Sequence, residues 1–195
     1  MRAALLCMAL AGPAGAESLC DVPADMALMA RLSGDWLGPV QVATVNEVLD
    51  DLRAIERDDA IPTMIHAGGL RTETTERVWF KRPMPLAAAA APLDVDEVDA
   101  ILEDTEAEDF ADLLSDTPCG PEALPQLETR IDNIETILLF GEGPAPVFDG
   151  TITLIPYFDD RILRLQKITV RSEERVVFLT AAALLTRVEE GSDGP

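Results

Sequence analysis

The chain is poor in histidine, lysine and aromatic residues, and each shortage closes a route to function. His66 is the single histidine among 195 residues, so multi-histidine zinc centres are excluded and a Ser-His-Asp triad would depend on this one imidazole. No G-x-S-x-G elbow accompanies it, and His66-Ala67-Gly68-Gly69 reads as a loop histidine ahead of a turn. Phosphate-cradling loops are missing too: Gly141-Glu142-Gly143 runs into Pro144, with neither a lysine nor a following helical pattern. There is no C-x-x-C spacing to depress a thiol pKa, which argues against a redox pair. Positive charge is scarce: Lys81 and Lys167 are the two lysines, and 15 Lys+Arg face 36 Asp+Glu for a formal net charge of −21. A chain this acidic repels phosphate backbones and anionic lipid, so nucleic-acid and membrane-surface roles fall away. Long apolar runs are also lacking. None reaches the ~20 residues a bilayer requires, so no membrane span is expected.

What is present begins at the N-terminus. One early charge at Arg2, an apolar run from Ala3 to Ala11, a Gly12-Pro13 break and small residues at Ala14-Gly15-Ala16 make residues 1–16 a removable export signal. The chain is then expected to start at Glu17 and to work in the periplasm or outside the cell; few lysines and abundant Ala and Arg suggest a GC-rich bacterial source. Lipidation is not expected, because Cys20 follows Leu19 rather than a small residue and Cys7 lies inside the apolar run. Processing leaves Cys20 and Cys119, which in an oxidising compartment are expected to pair as a structural disulfide. Removing 16 residues from 195 leaves 179, enough for a single domain, assigned to 17–188, with a frayed tail at 189–195.

Periodicity along the chain predicts a short helix within Pro23–Leu32 and a strand over Trp36–Val42 that bends at Gly38-Pro39. Asn46 as N-cap and the stripe Val45, Val48, Leu49, Leu52 and Ile55 predict a helix over Glu47–Arg57. Short strands are expected at Ile61–His66 and Thr72–Lys81. Arg82–Pro92, three prolines around an alanine run, reads as a connector outside any sheet. Asp94–Asp116 carries 11 carboxylates in 23 residues with Val95, Val98, Ile101 and Leu102 at helical spacing, an acidic amphipathic helix. The last third changes character. Ile134–Phe140, Val147–Phe158, Arg161–Arg171 and Arg175–Arg187 are strand-like runs joined by short turns, and Val176–Leu185 is apolar on both parities, as in a strand buried on both faces. The fold class expected from this pattern is α+β: a C-terminal antiparallel meander covered by two or three helices.

Gly34-Asp35-Trp36 resembles the G-x-W opening of lipocalin-like barrels, where the tryptophan packs across the closed end. The resemblance implies a second arrangement, a lipocalin-like β-barrel with a helical insertion, although the helix expected at 47–57 and the acidic segment depart from that family's consecutive strands, and no ligand pocket is transferred. Trp36 and Trp79 are read first as core packing and second as contacts for an apolar ligand. Asp104, Glu106 and Glu108 imitate the start of an EF-hand loop, but Asp109 stands where glycine is needed and Ser115 where a bidentate glutamate is needed. No catalytic residue, metal site or cofactor is assigned. The expected function is an exported, disulfide-stapled, non-catalytic binding or envelope-accessory protein, its partner a basic protein or an apolar small molecule. The alternatives are a carboxylate-dependent hydrolase of envelope material and a weak calcium-binding structural or adhesion protein.

Overall fold

The computed structural model describes residues 16–46, 51–57, 62–66, 69–72, 79–80, 83–92, 94–104, 117–137, 147–171 and 176–188, with 40–46, 51–57, 79–80, 104 and 133–137 described by their backbone. The chain opens on helix α1, Met26–Arg31, which starts where Asp25 accepts hydrogen bonds from the Ala27 and Leu28 N–H groups at 2.9 and 3.0 Å. Strands β1 (Gly34–Leu37) and β2 (Val40–Asn46) follow, separated by the Gly38-Pro39 bend. Glycine is required there: a Cβ on Gly38 would lie 1.9 Å from the carbonyl oxygen of Leu184 on the neighbouring strand. Then come β3 (Asp51–Arg57), β4 (Thr63–His66), β5 (Gly69–Thr72), β6 (Trp79–Phe80), β7 (Met84–Pro85) and β8 (Ala87–Ala88). Helix α2 (Val95–Asp104) and one 3-10 turn at Pro121–Ala123 precede four long strands: β9 (Leu127–Ile137), β10 (Val147–Phe158), β11 (Arg161–Arg171) and β12 (Val176–Arg187).

All pairings are antiparallel, and they run around a nearly closed ring. From β9 the order is β10, β11, β12, β1, β4, β5, β7. Along β12, Arg187 and Thr186 pair with Trp36 and Leu37, while Val177–Ala183 pair with β2, so the bent β1–β2 stave covers its length. The ring closes through 84–88. Leu70 pairs with Met84, and two residues after Pro85 Ala87 pairs with Glu128 of β9, with the Ala89 N–H donating to the Gln126 carbonyl at 3.1 Å.

The α+β expectation is therefore overturned: the protein is mostly antiparallel strand in a nearly closed barrel, with two α-helices among the described residues. Two misread segments account for the difference. The segment expected to be a helix at 47–57 is strand β3 from Asp51 onward, pairing Asn46 with Asp51 and Val40 with Arg57. With β12 on one edge of β2, the other edge carried unpaired N–H and C=O groups, and filling that ladder outweighs a modest helical propensity. The connector at 82–92 is not outside the sheet but is the stave that closes it. Proline has no N–H, so each ladder there lasts two residues before the chain changes neighbour. The acidic segment is helical over Val95–Asp104; residues 105–116 lie outside the described residues, as do 1–15 of the expected export signal 1–16 and the expected frayed tail 189–195.

Strand alternation divides the apolar residues into two cores. Inside the barrel lie Leu127 and Ile131 of β9, Phe148, Ile152 and Leu154 of β10, Ile162, Ile168 and Val170 of β11, and Leu179, Ala181, Ala183 and Leu185 of β12. Helix α1 covers one end, adding Leu28, Met29 and Leu32 to the same cluster. Outside, Ile155, Tyr157, Leu163, Leu165 and Ala182 pack under Val98, Ile101 and Leu102 of α2 and Leu124. On β12 this outer core takes up Ala182 and Leu184, while Phe178 on the same parity is exposed, so the burial on both faces expected for Val176–Leu185 holds only over part of the strand. Burial among these groups pushes the Tyr157 hydroxyl pKa up, with Arg161 lowering it and Asp160 raising it by smaller amounts.

Cys20 and Cys119 are joined, with Cα atoms 6.0 Å apart across a sequence separation of 99 residues. The bond ties the N-terminal segment to the turn ahead of β9, beside the outer core. Replacing Cys119 with Ser is expected to lower the unfolding free energy by about 4–5 kcal/mol through loop entropy alone, measured by urea denaturation of the two proteins under oxidising conditions.

Candidate functional site

The inner wall of β11 is interrupted by two polar side chains. Residues 162, 164, 166, 168 and 170 face inward, and Arg164 and Gln166 occupy the middle of that row. Each is 3 % exposed. Their cross-strand neighbours are apolar on both sides: Leu154 and Ala183 opposite Arg164, Ile152 and Ala181 opposite Gln166. Thr129 on β9 pairs with Ile152 on the other side of β10 and is 2 % exposed. Thr129 and Gln166 thus flank Ile152 at one level of the wall, roughly 10 Å apart by strand spacing.

The hydrogen bonding of this trio is incomplete. Arg164 Nη2 donates to Gln166 Oε1 at 2.5 Å, which fixes the Gln166 amide with its NH2 group turned away from the guanidinium. Arg164 Nε, Gln166 Nε2 and Thr129 Oγ1 are buried and have no partner among the described residues. Burial pushes the Arg164 pKa down to about 10, with no charge offsetting it. The guanidinium stays protonated at neutral pH. That fall from the ordinary guanidinium value corresponds to a desolvation cost on the order of 3 kcal/mol, large beside the ~5–15 kcal/mol net stability typical of native proteins. The other buried polar pair inside is different: Thr63 Oγ1 and Thr72 Oγ1 share a 3.2 Å hydrogen bond, and Thr72 also reaches the Pro62 carbonyl at 3.4 Å.

A concavity of about 730 Å³ lies outside the barrel between the start of α2, the 89–92 segment and the outer faces of β9–β11. Glu97, Glu128, Thr151 and Lys167 line it, and the Lys167 ammonium donates to Glu97, holding α2 against β11. Among the described residues no group of three metal-ligating side chains occurs, and no helix is long and apolar enough to cross a membrane.

Trp36 is 1 % exposed; its Nε1–H donates to the Leu32 carbonyl at 3.0 Å and the Arg187 guanidinium stacks 4.8 Å from its ring centroid. Arg187 in turn donates to the carbonyls of Arg31 and Ser33 at 2.7 and 3.3 Å, closing the C-terminal end of α1. Trp36 is thus a wedge between α1 and the barrel end. Trp79 lies on β6 opposite Ile137, toward the other end of β9, so the structure does not bring the two tryptophans together. His66 is exposed, its Nε2 4.0 Å from Asp35 Oδ1. Arg164, Gln166 and Thr129 were not singled out by sequence reasoning. The available signal was the alternation in Arg161–Arg171, where Ile162, Ile168 and Val170 share one parity with Arg164 and Gln166, while the other parity carries Leu163 and Leu165 among four polar residues.

No protein-family model matches the chain, and no curated protein matches it. A solved structure of an S-type phycobiliprotein lyase from Guillardia theta is similar over 84 % of this chain and 92 % of its own, at 10 % identity and a TM-score of 0.23. A likeness so distant carries no argument about what this chain binds.

The incompletely satisfied guanidinium makes a stability prediction that is independent of any ligand. Replacing Arg164 with Met and Gln166 with Leu together keeps side-chain volume and removes every buried donor of the pair. The ligand-free double variant is expected to be more stable than the parent by about 1–4 kcal/mol in urea unfolding.

Proposed function

We propose that this is an exported, non-catalytic binding protein whose barrel holds a small molecule against Arg164, Gln166 and Thr129. One observation carries the reading: three buried hydrogen-bonding atoms on one band of the inner wall have no partner among the described residues. Native interiors satisfy such groups, because each orphan costs about 1–3 kcal/mol and a charged one more. A ligand that supplies the missing partners accounts for all three at once. The test is native mass spectrometry of the protein recovered from its export compartment. A non-covalently bound mass is expected on the parent and absent from the Arg164→Met/Gln166→Leu variant; a parent that carries nothing and takes up nothing from a mixed small-molecule library overturns the reading.

Export is supported by the N-terminal layout of residues 1–16 and by the contacts of the residue that follows. The Glu17 N–H donates to Asp159 Oδ1 at 3.0 Å, and the Asp159 N–H returns a 3.1 Å bond to the Glu17 carbonyl. Arg31 reaches both carboxylates, at 2.7 Å to Glu17 and 3.5 Å to Asp159. Cleavage after Ala16 turns that amide into an ammonium beside Asp159. N-terminal sequencing is expected to begin at Glu17, and Asp159→Asn should destabilise the cleaved chain by up to about 1 kcal/mol more than it does a chain retaining residues 1–16.

A further inference from the structure

We infer that the molecule held at Arg164 is an amphipathic monocarboxylate: one carboxylate group on an apolar body. The inference rests on the reading of the barrel as a ligand site and specifies the ligand's chemistry.

The polarity of the orphans comes first. Arg164 Nε and Gln166 Nε2 can only donate, and Thr129 Oγ1 has a proton to give. Gln166's acceptor is already occupied by Arg164 Nη2. The site therefore asks for acceptors, and a neutral ligand offering donors gains nothing here. Charge follows from the same groups. Arg164 is a cation at neutral pH, 3 % exposed, and no ion pair neutralises it among the described residues. A buried cation is stabilised most by an anion in direct hydrogen-bond contact, and a carboxylate matches the guanidinium edge. A single negative charge cancels a single positive one; a dianion such as phosphate would leave a net charge in a low-dielectric wall.

The surroundings set the rest of the molecule. Ile152, Leu154 and Ile168 stand around the pair on the inner wall, and its two register neighbours on β12 are the apolar Ala181 and Ala183. Such neighbours contact hydrocarbon, so the part of the ligand beyond its carboxylate is apolar. The outside of the protein works against free inorganic anions. With a formal net charge of −21 it repels them, and the attraction of the buried cation is felt by a ligand whose apolar body carries it inside.

The test is calorimetric titration of the full chain with decanoate, methyl decanoate, decylamine and inorganic phosphate, each below its aggregation limit. Decanoate is expected to bind at least about tenfold tighter than its methyl ester, equivalent to about 1.4 kcal/mol, with decylamine and phosphate weaker than either. In Arg164→Met the acid-over-ester ratio should collapse toward one, and Arg164→Lys should retain part of it. If Arg164→Met fails to fold, the Arg164→Met/Gln166→Leu variant and Thr129→Val supply the same ratio from other positions. Equal binding of acid and ester by the parent overturns the carboxylate while leaving a small-molecule barrel in place. Tighter binding of phosphate than of decanoate overturns the apolar body. Silence from all four probes, with no bound mass on the protein from its export compartment, overturns both.

Discussion

Closure of the sheet on itself is the constraint from which the other features follow. Because β12 pairs with β1 and β2, and the 84–88 stave joins β5 to β9, each long strand has a neighbour on both sides and every side chain is assigned to an inside or an outside. An open meander under helices would have left one face of β11 at the margin of a sheet, where an arginine stem can lie along apolar surface with its head in water. In a barrel that escape is gone. Arg164 is inside because its parity is inside, and its charge is buried with it.

The same closure explains why the outer surface needs a second core. Alternation that sends Leu163 and Leu165 outward would expose them, and α2 covers them together with Ile155, Tyr157 and Ala182. The helix is amphipathic in the required sense: Val98, Ile101 and Leu102 are buried while Asp96 and Glu97 reach solvent. Its acidity, which looked like a concentrated field awaiting a partner, is the solvent face of a cover, pinned by Glu97 on Lys167. The disulfide fastens the same side of the barrel, joining the chain that enters α1 to the turn that enters β9.

Elements governed by local chemistry were legible in the sequence. The short helix within Pro23–Leu32, the Gly38-Pro39 bend, the boundaries of Val147–Phe158 and Arg161–Arg171, and the Cys20–Cys119 pair all appear where short-range pattern or simple counting puts them. Elements governed by distant partners were not. Leu52 and Ile55 satisfy a helical stripe as well as a strand, and β2's open edge decided between them. Three prolines around Ala87–Ala91 signal that no long ladder can form, and they say nothing against two ladders of two residues each. The site was hidden for a related reason. In Arg161–Arg171 neither parity is uniformly apolar: Arg164 and Gln166 interrupt Ile162, Ile168 and Val170, and Leu163 and Leu165 stand among Arg161, Lys167, Thr169 and Arg171, so it is the arrangement of β10 and β12 that turns the first set into the barrel and brings the two leucines under α2.

A buried arginine in a wall of isoleucine, leucine and alanine is a poor choice for stability, because methionine at the same position would fill the volume without a desolvation cost. Arginine does not serve closure either, since Leu154 and Ala183 pair through their backbones with whatever side chain stands at residue 164. Its neighbours are also unsuited to neutralising it: Gln166 offers one oxygen and no charge. A fold that keeps such a residue retains a demand it cannot meet from the groups around it, and a demand of that kind discriminates sharply between molecules that satisfy it and those that do not. On the proposed reading, selectivity comes less from the shape of the apolar wall, which any hydrocarbon of suitable size can contact, than from one fixed charge whose orientation is held by Gln166.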